Sequence, residues 1–314
     1  QYKEAGITIS DSTMGDWYEA AVERLKILYD ILRKQILQSE YIHVDESTVP
    51  VIDNEKHKTK KGYEWCVLDG LSGDVIFYYD RGSRAAKVAR ELLGGYKGNV
   101  QTDGYAAYDQ FEEKAGIILY GCWAHLRRKF VEALDTDKRH ATEAIVYISK
   151  LYKVESEADD AELNPEQRKE KRIKESYPVI RVFEKWMKDT YPMVLPKSKI
   201  GQAIEYAFAL LPRLSRYVND GRISIDNNPV ERAIRPLALG RKNWLFCGND
   251  ASAYRAAIVY SLIGTCKNAG IEPRVWMEDV LKQIPYYLRD GRDLAELLPR
   301  AWALRNQLGQ SCCE

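Results

Sequence analysis

Asp45 and Asp103 each close a β-rich run of the sequence. An aspartate just after a strand is ordinarily a turn former, so neither is informative alone. Two carboxylates brought within a few ångströms repel, and each shifts the other's pKa unless a cation neutralises them. Hard divalent ions that prefer oxygen ligands, Mg2+ or Mn2+, are the natural partners. Two such ions about 3.5–4 Å apart can activate a water or a 3′-hydroxyl and stabilise the leaving oxygen of a phosphodiester. That chemistry calls for a third carboxylate. Glu231 fits, one turn into a helix that opens at Asn228-Pro229-Val230. It has a second reading, because with Asn228 as N-cap it falls at N3, where Glu serves as capping-box partner. The residue types alone leave cap and catalyst equally open. Asp226, Asp109, Asp69, Asp74 and Glu46 also lie near turns or strand ends, and Asp69 and Asp74 read as parts of a hairpin turn.

The elements that must position these groups follow from periodicity. Strands are predicted over Tyr41–Asp45, Tyr63–Leu68, Val75–Tyr79, Asn99–Thr102 and Ile117–Tyr120, and helices over Ser83–Leu93, Tyr105–Ala115 and Ala124–Leu134. The order βββαβαβα, with a later helix after a long insertion, is that of a ribonuclease-H-like mixed sheet of the α/β class. In such a sheet the first strand is central and parallel to the fourth, so Asp45 and Asp103 would meet. We divide the chain into a helical segment (1–38), the first part of the core (39–135), a helical insertion (136–220), the last core helix with a basic segment (221–248) and a C-terminal helical element of three amphipathic helices (249–314). Within the first segment, Gly6 to Trp17 suggests half a helix-turn-helix ahead of the helical run Trp17–Leu37, although a plain helical hairpin explains it as well. Glu166–Glu175 reads as a solvated helix face.

Seven basic residues (Arg213, Arg216, Arg222, Arg232, Arg235, Arg241, Lys242) against three acidic ones surround Glu231 in sequence. Arg235 can pair with Glu231 one turn away; seven exceed what pairing alone explains, and Arg and Lys supply most affinity for nucleic acid through phosphate contacts. Trp244 reads as a core residue or as a platform for an unpaired base. Lys56, Lys58, Lys60 and Lys61 form a loop between the first two strands, either solvated or gripping phosphate. Arg127, Arg128 and Lys129 open a helix beside the fifth strand and have the same two readings. Cys122 and His125 have the spacing of two zinc ligands, without a second pair.

Balanced charge, 47 basic and 46 acidic residues in 314, excludes a histone-like protein. The 45% apolar content supports a packed core, and the length suggests about two domains. No apolar run reaches the ~18 residues of a membrane span. Six irregularly spaced cysteines make no disulfide framework, and Cys312 and Cys313 read as free thiols of a reducing compartment. The start at Gln1 reads as the beginning of a fragment.

Longer motifs carry a resemblance. They are His43-Val44-Asp45-Glu46-Ser47 with Pro50, Thr102-Asp103-Gly104-Tyr105 with Tyr108, and Cys122-Trp123-Ala124-His125 with Arg127-Arg128-Lys129-Phe130. Asp226-Asn227-Asn228-Pro229-Val230-Glu231-Arg232, Arg235-Pro236, Gly240-Arg241-Lys242-Asn243-Trp244 and Phe246-Cys247-Gly248 continue the series. In this order they resemble the insertion sequence 66 transposases, bacterial DDE enzymes, with Ser47 where the family more often has threonine. The resemblance implies that Asp45, Asp103 and Glu231 are the DDE triad, holding two Mg2+ or Mn2+ ions. It implies phosphodiester hydrolysis at element ends and strand transfer into target DNA. A structure-selective nuclease or resolvase, and a domesticated DNA-binding protein, are the rivals. The expected partners are double-stranded DNA, accessory transposition proteins and further copies of the chain on DNA, in the bacterial cytoplasm at the nucleoid.

Overall fold

The Ser10 hydroxyl accepts the Thr13 backbone N–H at 3.0 Å and starts the first helix, α1 (Asp11–Ile36). In the computed structural model, which describes residues 6, 8–112 and 116–311, α1 runs without a break. The helix expected after the Gly6 turn and the helical run that follows it are one element, since nothing between Ser12 and Ile36 interrupts the pattern. Val22, Leu25, Leu28, Leu32 and Ile36 form the buried stripe, whereas Trp17 is 55% exposed. Ile7, the far end of the helix expected over Tyr105–Ala115, and Cys312 and Cys313 lie outside the described residues.

Five strands follow: β1 (Tyr41–Asp53), β2 (Lys58–Asp69), β3 (Val75–Tyr79), β4 (Gly98–Gln101) and β5 (Ile117–Tyr120). They make one mixed sheet in the order β3-β2-β1-β4-β5, with β1 parallel to β4, β4 parallel to β5, and β2 antiparallel to β3. The helices after α1 are α2 (Ala86–Leu92), α3 (Trp123–Val131), α4 (Lys138–Asp160), α5 (Pro165–Lys171), α6 (Tyr177–Thr190), α7 (Lys199–Ser215), α8 (Asn228–Trp244), α9 (Asp250–Asn268), α10 (Pro273–Asp290) and α11 (Pro299–Ser311). A short 3-10 turn (Ala106–Phe111) stands where a full helix was expected. None of the described helices is long and apolar enough to cross a membrane.

Two strand expectations are corrected. β1 does not stop at Asp45 but continues to Asp53, because Val49 and Val51 keep alternating into the core. The lysine segment is consequently not a loop. Lys58, Lys60 and Lys61 open β2, and only a tight turn, with His57 at φ 46°, separates the strands.

The chain resolves into two compact units. One comprises Gln1–Ser39, Glu46–Gly95 and Arg232–Glu314. Here the outer strand β3 has its open backbone groups covered by side chains. Ser261 and Thr265 of α9 accept the Phe77 and Val75 N–H groups at 2.7 and 3.0 Å, and Tyr29 of α1 donates to the Phe77 carbonyl at 2.9 Å. An unpaired strand edge invites association, and this cover removes it.

The other unit comprises Glu40–Asp45 and Tyr96–Glu231. Its core joins Trp123, Leu126 and Phe130 of α3 to Ile148, Phe183, Met187, Ile204 and Leu214 of the helical stretch. The solvated face expected over Glu166–Glu175 is corrected at Arg172. Its guanidinium is buried, pairs with Glu155 at 2.5 Å and donates to the carbonyls of Tyr217 and Asp220.

Candidate active site

The parallel β1–β4 ladder sets Tyr41 opposite Asn99, Ile42 opposite Val100 and His43 opposite Gln101. The ladder ends there, and Asp45 and Asp103 each follow its last pair by two residues, Asp45 within β1 and Asp103 beyond the end of β4. Asp103 sits where β4 gives way to a turn. Its Oδ1 accepts the Tyr105 N–H at 2.8 Å, and its carbonyl accepts the Tyr206 hydroxyl at 2.9 Å. Gly104 follows at φ +91°, and a Cβ there would meet Leu210 at 2.8 Å, so the chain leaves Asp103 through a position that only glycine fills without strain.

At Glu231 the cap reading loses its role to another residue. Asp226 Oδ1 accepts the Asn228 N–H at 3.0 Å, and its Oδ2 accepts the Asn228 side chain and the Tyr152 hydroxyl. The start of α8 is thus held by Asp226, which is buried. Glu231 Oε1 is also buried and has no hydrogen-bond partner among the described residues. His125 Nε2 lies 3.7 Å from it, and Arg128 Nη2 lies 3.9 Å from Oε2. Burial pushes the His125 pKa down, against the pull of Asp103 and Glu231, which holds the imidazole neutral near pH 7. Burial likewise pushes the Cys122 thiol up to about 12, so it keeps its hydrogen.

The other carboxylates are engaged elsewhere. Asp109 pairs with Arg213, Asp74 with Arg300 and Glu46 with Arg84, while Asp69 accepts from its own turn. Among the described residues, no three His, Cys, Asp or Glu side chains are gathered tightly enough to chelate an ion as they stand. The donor set is nevertheless of the right kind. Its oxygens are hard, and a buried carboxylate oxygen without a partner is costly to leave so.

The basic residues divide into paired and unpaired. Arg213, Arg216 and Arg222 are bound to Asp109, Glu112, Glu40 and Asp220, so the local cationic excess is smaller than the composition suggests. Arg241 donates to the Thr48 carbonyl and hydroxyl at 2.6 Å, and Lys60 pairs with Asp250 at 2.9 Å. Lys56 is 3.9 Å from Asp53, and Lys61 lies over the Tyr63 ring. Lys58 is exposed at the start of β2. Arg232, Arg235 and Lys242 are exposed at helical spacing along α8. Arg127 and Arg128 line a cavity of ≈ 490 Å³ with Asn228, Tyr152 and Ser149, and Lys129 lies over Tyr206. Trp244 is half-buried and donates to the Tyr260 hydroxyl at 3.2 Å, a structural contact.

The residues that sequence reasoning passed over are His43 and Asn227. Both are fully buried, His43 two positions before Asp45 and Asn227 just before α8. A buried histidine on a strand and an asparagine in a turn carry no signal of their own in one sequence.

A sequence model described as the Transposase IS66 family matches residues 1–255, and one described as the IS66 C-terminal element matches residues 261–300. Relatives occur in Sinorhizobium fredii. The uncharacterized protein y4qI is 35% identical, over 90% of this chain and 55% of its own. The uncharacterized protein y4jD is 32% identical over 98% and 62%, and the uncharacterized protein y4hP 29% over 96% and 58%. The chain therefore spans little more than half the length of these relatives.

Proposed function

Since the chain belongs to the IS66 transposase family, we propose that it carries the catalytic machinery of a DDE transposase on a ribonuclease-H-like sheet. It would hydrolyse a phosphodiester at an element end and join the freed 3′-hydroxyl to target DNA. The observation that supports this most is the parallel β1–β4 register, whose last pair, His43 and Gln101, lies two residues before Asp45 and Asp103 respectively. The strand order, with β1 central, is the one that a ribonuclease-H-like sheet requires.

In this reading Asp45 and Asp103 hold two divalent ions between them, and Glu231 completes the second site with its unpartnered buried oxygen. When bound, Mg2+ or Mn2+ supplies Lewis-acid activation of the attacking hydroxyl and neutralises charge developing on the phosphodiester. The chain's own contribution is placement. The Gly104 turn fixes Asp103, the strand ladder fixes Asp45, and Asp226 anchors the helix that presents Glu231. Arg127, Arg128, Arg232, Arg235 and Lys242 would take phosphates along double-stranded DNA, with Lys58 and its neighbours adding to them. Such contacts position a duplex without reading its sequence. Copies of the chain would assemble on DNA at the bacterial nucleoid, together with accessory proteins.

A joining assay with the full-length protein, labelled element ends, Mg2+ and a target plasmid tests the reading. Covalent end–target products are expected. Cut ends with no joined product would identify a nuclease or resolvase instead, and intact but bound DNA a binding protein.

A further inference from the structure

Within the first unit lies a cavity of ≈ 630 Å³ that neither the triad nor the phosphate contacts use. Small-molecule sites are of this size, about 300–1,000 Å³. The rings of Tyr18, Phe77, Trp244, Phe246 and Tyr260 line it, and it opens at a rim where Tyr18 and Phe246 are each 45% exposed. The rings are held in place. Trp244 Nε1 donates to the Tyr260 hydroxyl at 3.2 Å, and Gly240 leaves room for the pair, since a Cβ there would meet Trp244 Nε1 at 2.7 Å. The chain then turns through Leu245 at φ 65°, a conformation that strains a residue with a side chain, and so brings Phe246 to the wall beside Trp244. The Cys247 N–H donates to the Pro50 carbonyl at 2.8 Å and the Ile52 N–H to the Cys247 carbonyl at 2.9 Å, which fastens this turn to β1.

Polar groups border this aromatic wall at both ends. On α8, Ala233 and Pro236 line the cavity while their chain neighbours Arg232 and Arg235 are exposed, and Lys267 of α9 stands in the lining as a further cation. None of these three has an ion-pair partner among the described residues. At the inner end is Glu64. In the β2–β3 ladder Glu64 stands opposite Tyr79 and Cys66 opposite Phe77, so Glu64 shares the face of the sheet on which Phe77 lines the cavity. The Tyr18 hydroxyl and the Cys247 thiol, both in the lining, have raised pKa values chiefly because they are buried, and the Glu64 carboxyl adds to the effect in each. That carboxyl is wholly buried, and neither of its oxygens has a hydrogen-bond partner among the described residues, a costly state to leave unrelieved. A plain apolar molecule would use the rings and leave cations and carboxyl idle. An unpaired nucleotide uses all three: a phosphate for the cations, a π-face for the rings, and the exocyclic amino group of adenine, cytosine or guanine for the carboxyl.

We infer that this cavity receives one unpaired nucleobase of the bound DNA, stacked on Trp244 and Phe246 with its amino edge toward Glu64, while Arg232, Arg235 and Lys267 take the flanking phosphates. The inference rests on the DNA reading proposed above and deepens it. Stacking accepts any base, so the rings give affinity. Glu64 gives the preference, because thymine has no amino group to offer it.

Fluorescence anisotropy of the full-length protein tests this with labelled duplexes that differ at one position: fully paired, or carrying a single unpaired adenine, thymine or abasic residue. The unpaired adenine is expected to bind roughly tenfold or more tighter than the abasic residue, in the range for stacking one base on an aromatic side chain. Trp244→Ala and the rim variant Phe246→Ala should each lose most of that preference yet bind the paired duplex within about threefold of the unaltered protein, since phosphate contacts are untouched. Trp244→Phe, which keeps a ring, should retain most of it. The unaltered protein should favour unpaired adenine over thymine by about threefold or more, and Glu64→Leu should bind the two alike. Equal affinity of the unaltered protein for adenine and the abasic residue would overturn the base site, as would a full preference surviving in Phe246→Ala and Trp244→Ala. Equal affinity for adenine and thymine would overturn the role of Glu64. Failure of the unaltered protein to bind any of the duplexes would instead overturn the DNA reading, and the base site with it.

Discussion

Asp226 and Glu231 lie close together at the start of α8, and their hydrogen bonding differs. Asp226 spends both oxygens on Asn228 and Tyr152, whereas Glu231 keeps a buried oxygen unpartnered. Asp226→Ala should therefore destabilise the fold by about 2 kcal/mol, from a missing cap and a buried hydroxyl left unpaired. Glu231→Gln should change stability by less than about 1 kcal/mol, as expected of a residue with no capping role; chemical denaturation of the two variants checks this. Glu64 provides a second test at this scale. It is wholly buried in β2, neither oxygen has a hydrogen-bond partner among the described residues, and burial pushes its pKa up to about 8. A folded-state pKa above the unfolded one means that the folded chain binds the additional proton between pH 4.5 and 8. The stability this contributes is full below pH 4.5 and is lost as pH rises through 8. The loss is on the order of 5 kcal/mol, from about 1.4 kcal/mol per unit. Glu64→Gln should flatten the fall in stability between about pH 5 and 8; an unchanged slope would place the titrating group elsewhere. Glu64 was not legible in the sequence, because a Glu in an alternating strand reads as solvent-facing. Asp45 and Asp103 stood out as candidates because topology and spacing select them together.

At the scale of elements, α8 presents Arg232, Arg235 and Lys242 along one exposed stripe, and none of the three has an ion-pair partner among the described residues. Changing all three to alanine should weaken DNA binding alike for every sequence. The slope of log affinity against log salt should flatten by roughly 0.9 for each phosphate that the variant no longer neutralises. Fluorescence anisotropy across a salt series reads the slope, and no change in it would mean that the stripe does not touch DNA. The buried Arg172–Glu155 pair belongs to the helical stretch. Arg172→Ala leaves Glu155 with Arg168 alone, at 3.2 Å, and should cost up to about 3 kcal/mol in a denaturant titration. Strand and helix identities were largely readable from periodicity, whereas their ends were not. β1 overran its expected end because Val49 and Val51 continue the alternation after the polar Glu46-Ser47-Thr48 interruption. Arg172 was missed because a cation in a charged run gives no sign that a partner lies on another helix.

For the whole molecule, the sequence order of elements led to a mixed sheet with a central first strand, and the sheet has that order. The pairing of charges was less legible, since Glu112 and Asp109 are distant in sequence from the arginines they neutralise. The triad reading binds all three levels together: a register in the sheet, a turn and a helix start must each deliver one carboxylate. The measurement that tests it most directly is single-turnover cleavage of a labelled element end by the full-length protein in Mg2+, comparing Asp45→Asn, Asp103→Asn and Glu231→Gln with Asp226→Asn. Each triad variant should bind DNA and fold normally yet cleave several hundredfold more slowly or worse, corresponding to about 3–4 kcal/mol less transition-state stabilisation. Asp226→Asn should cleave within about tenfold of the unaltered protein once its stability is allowed for. Cleavage that survives in any one triad variant, or that proceeds fully in EDTA, would contradict the assignment.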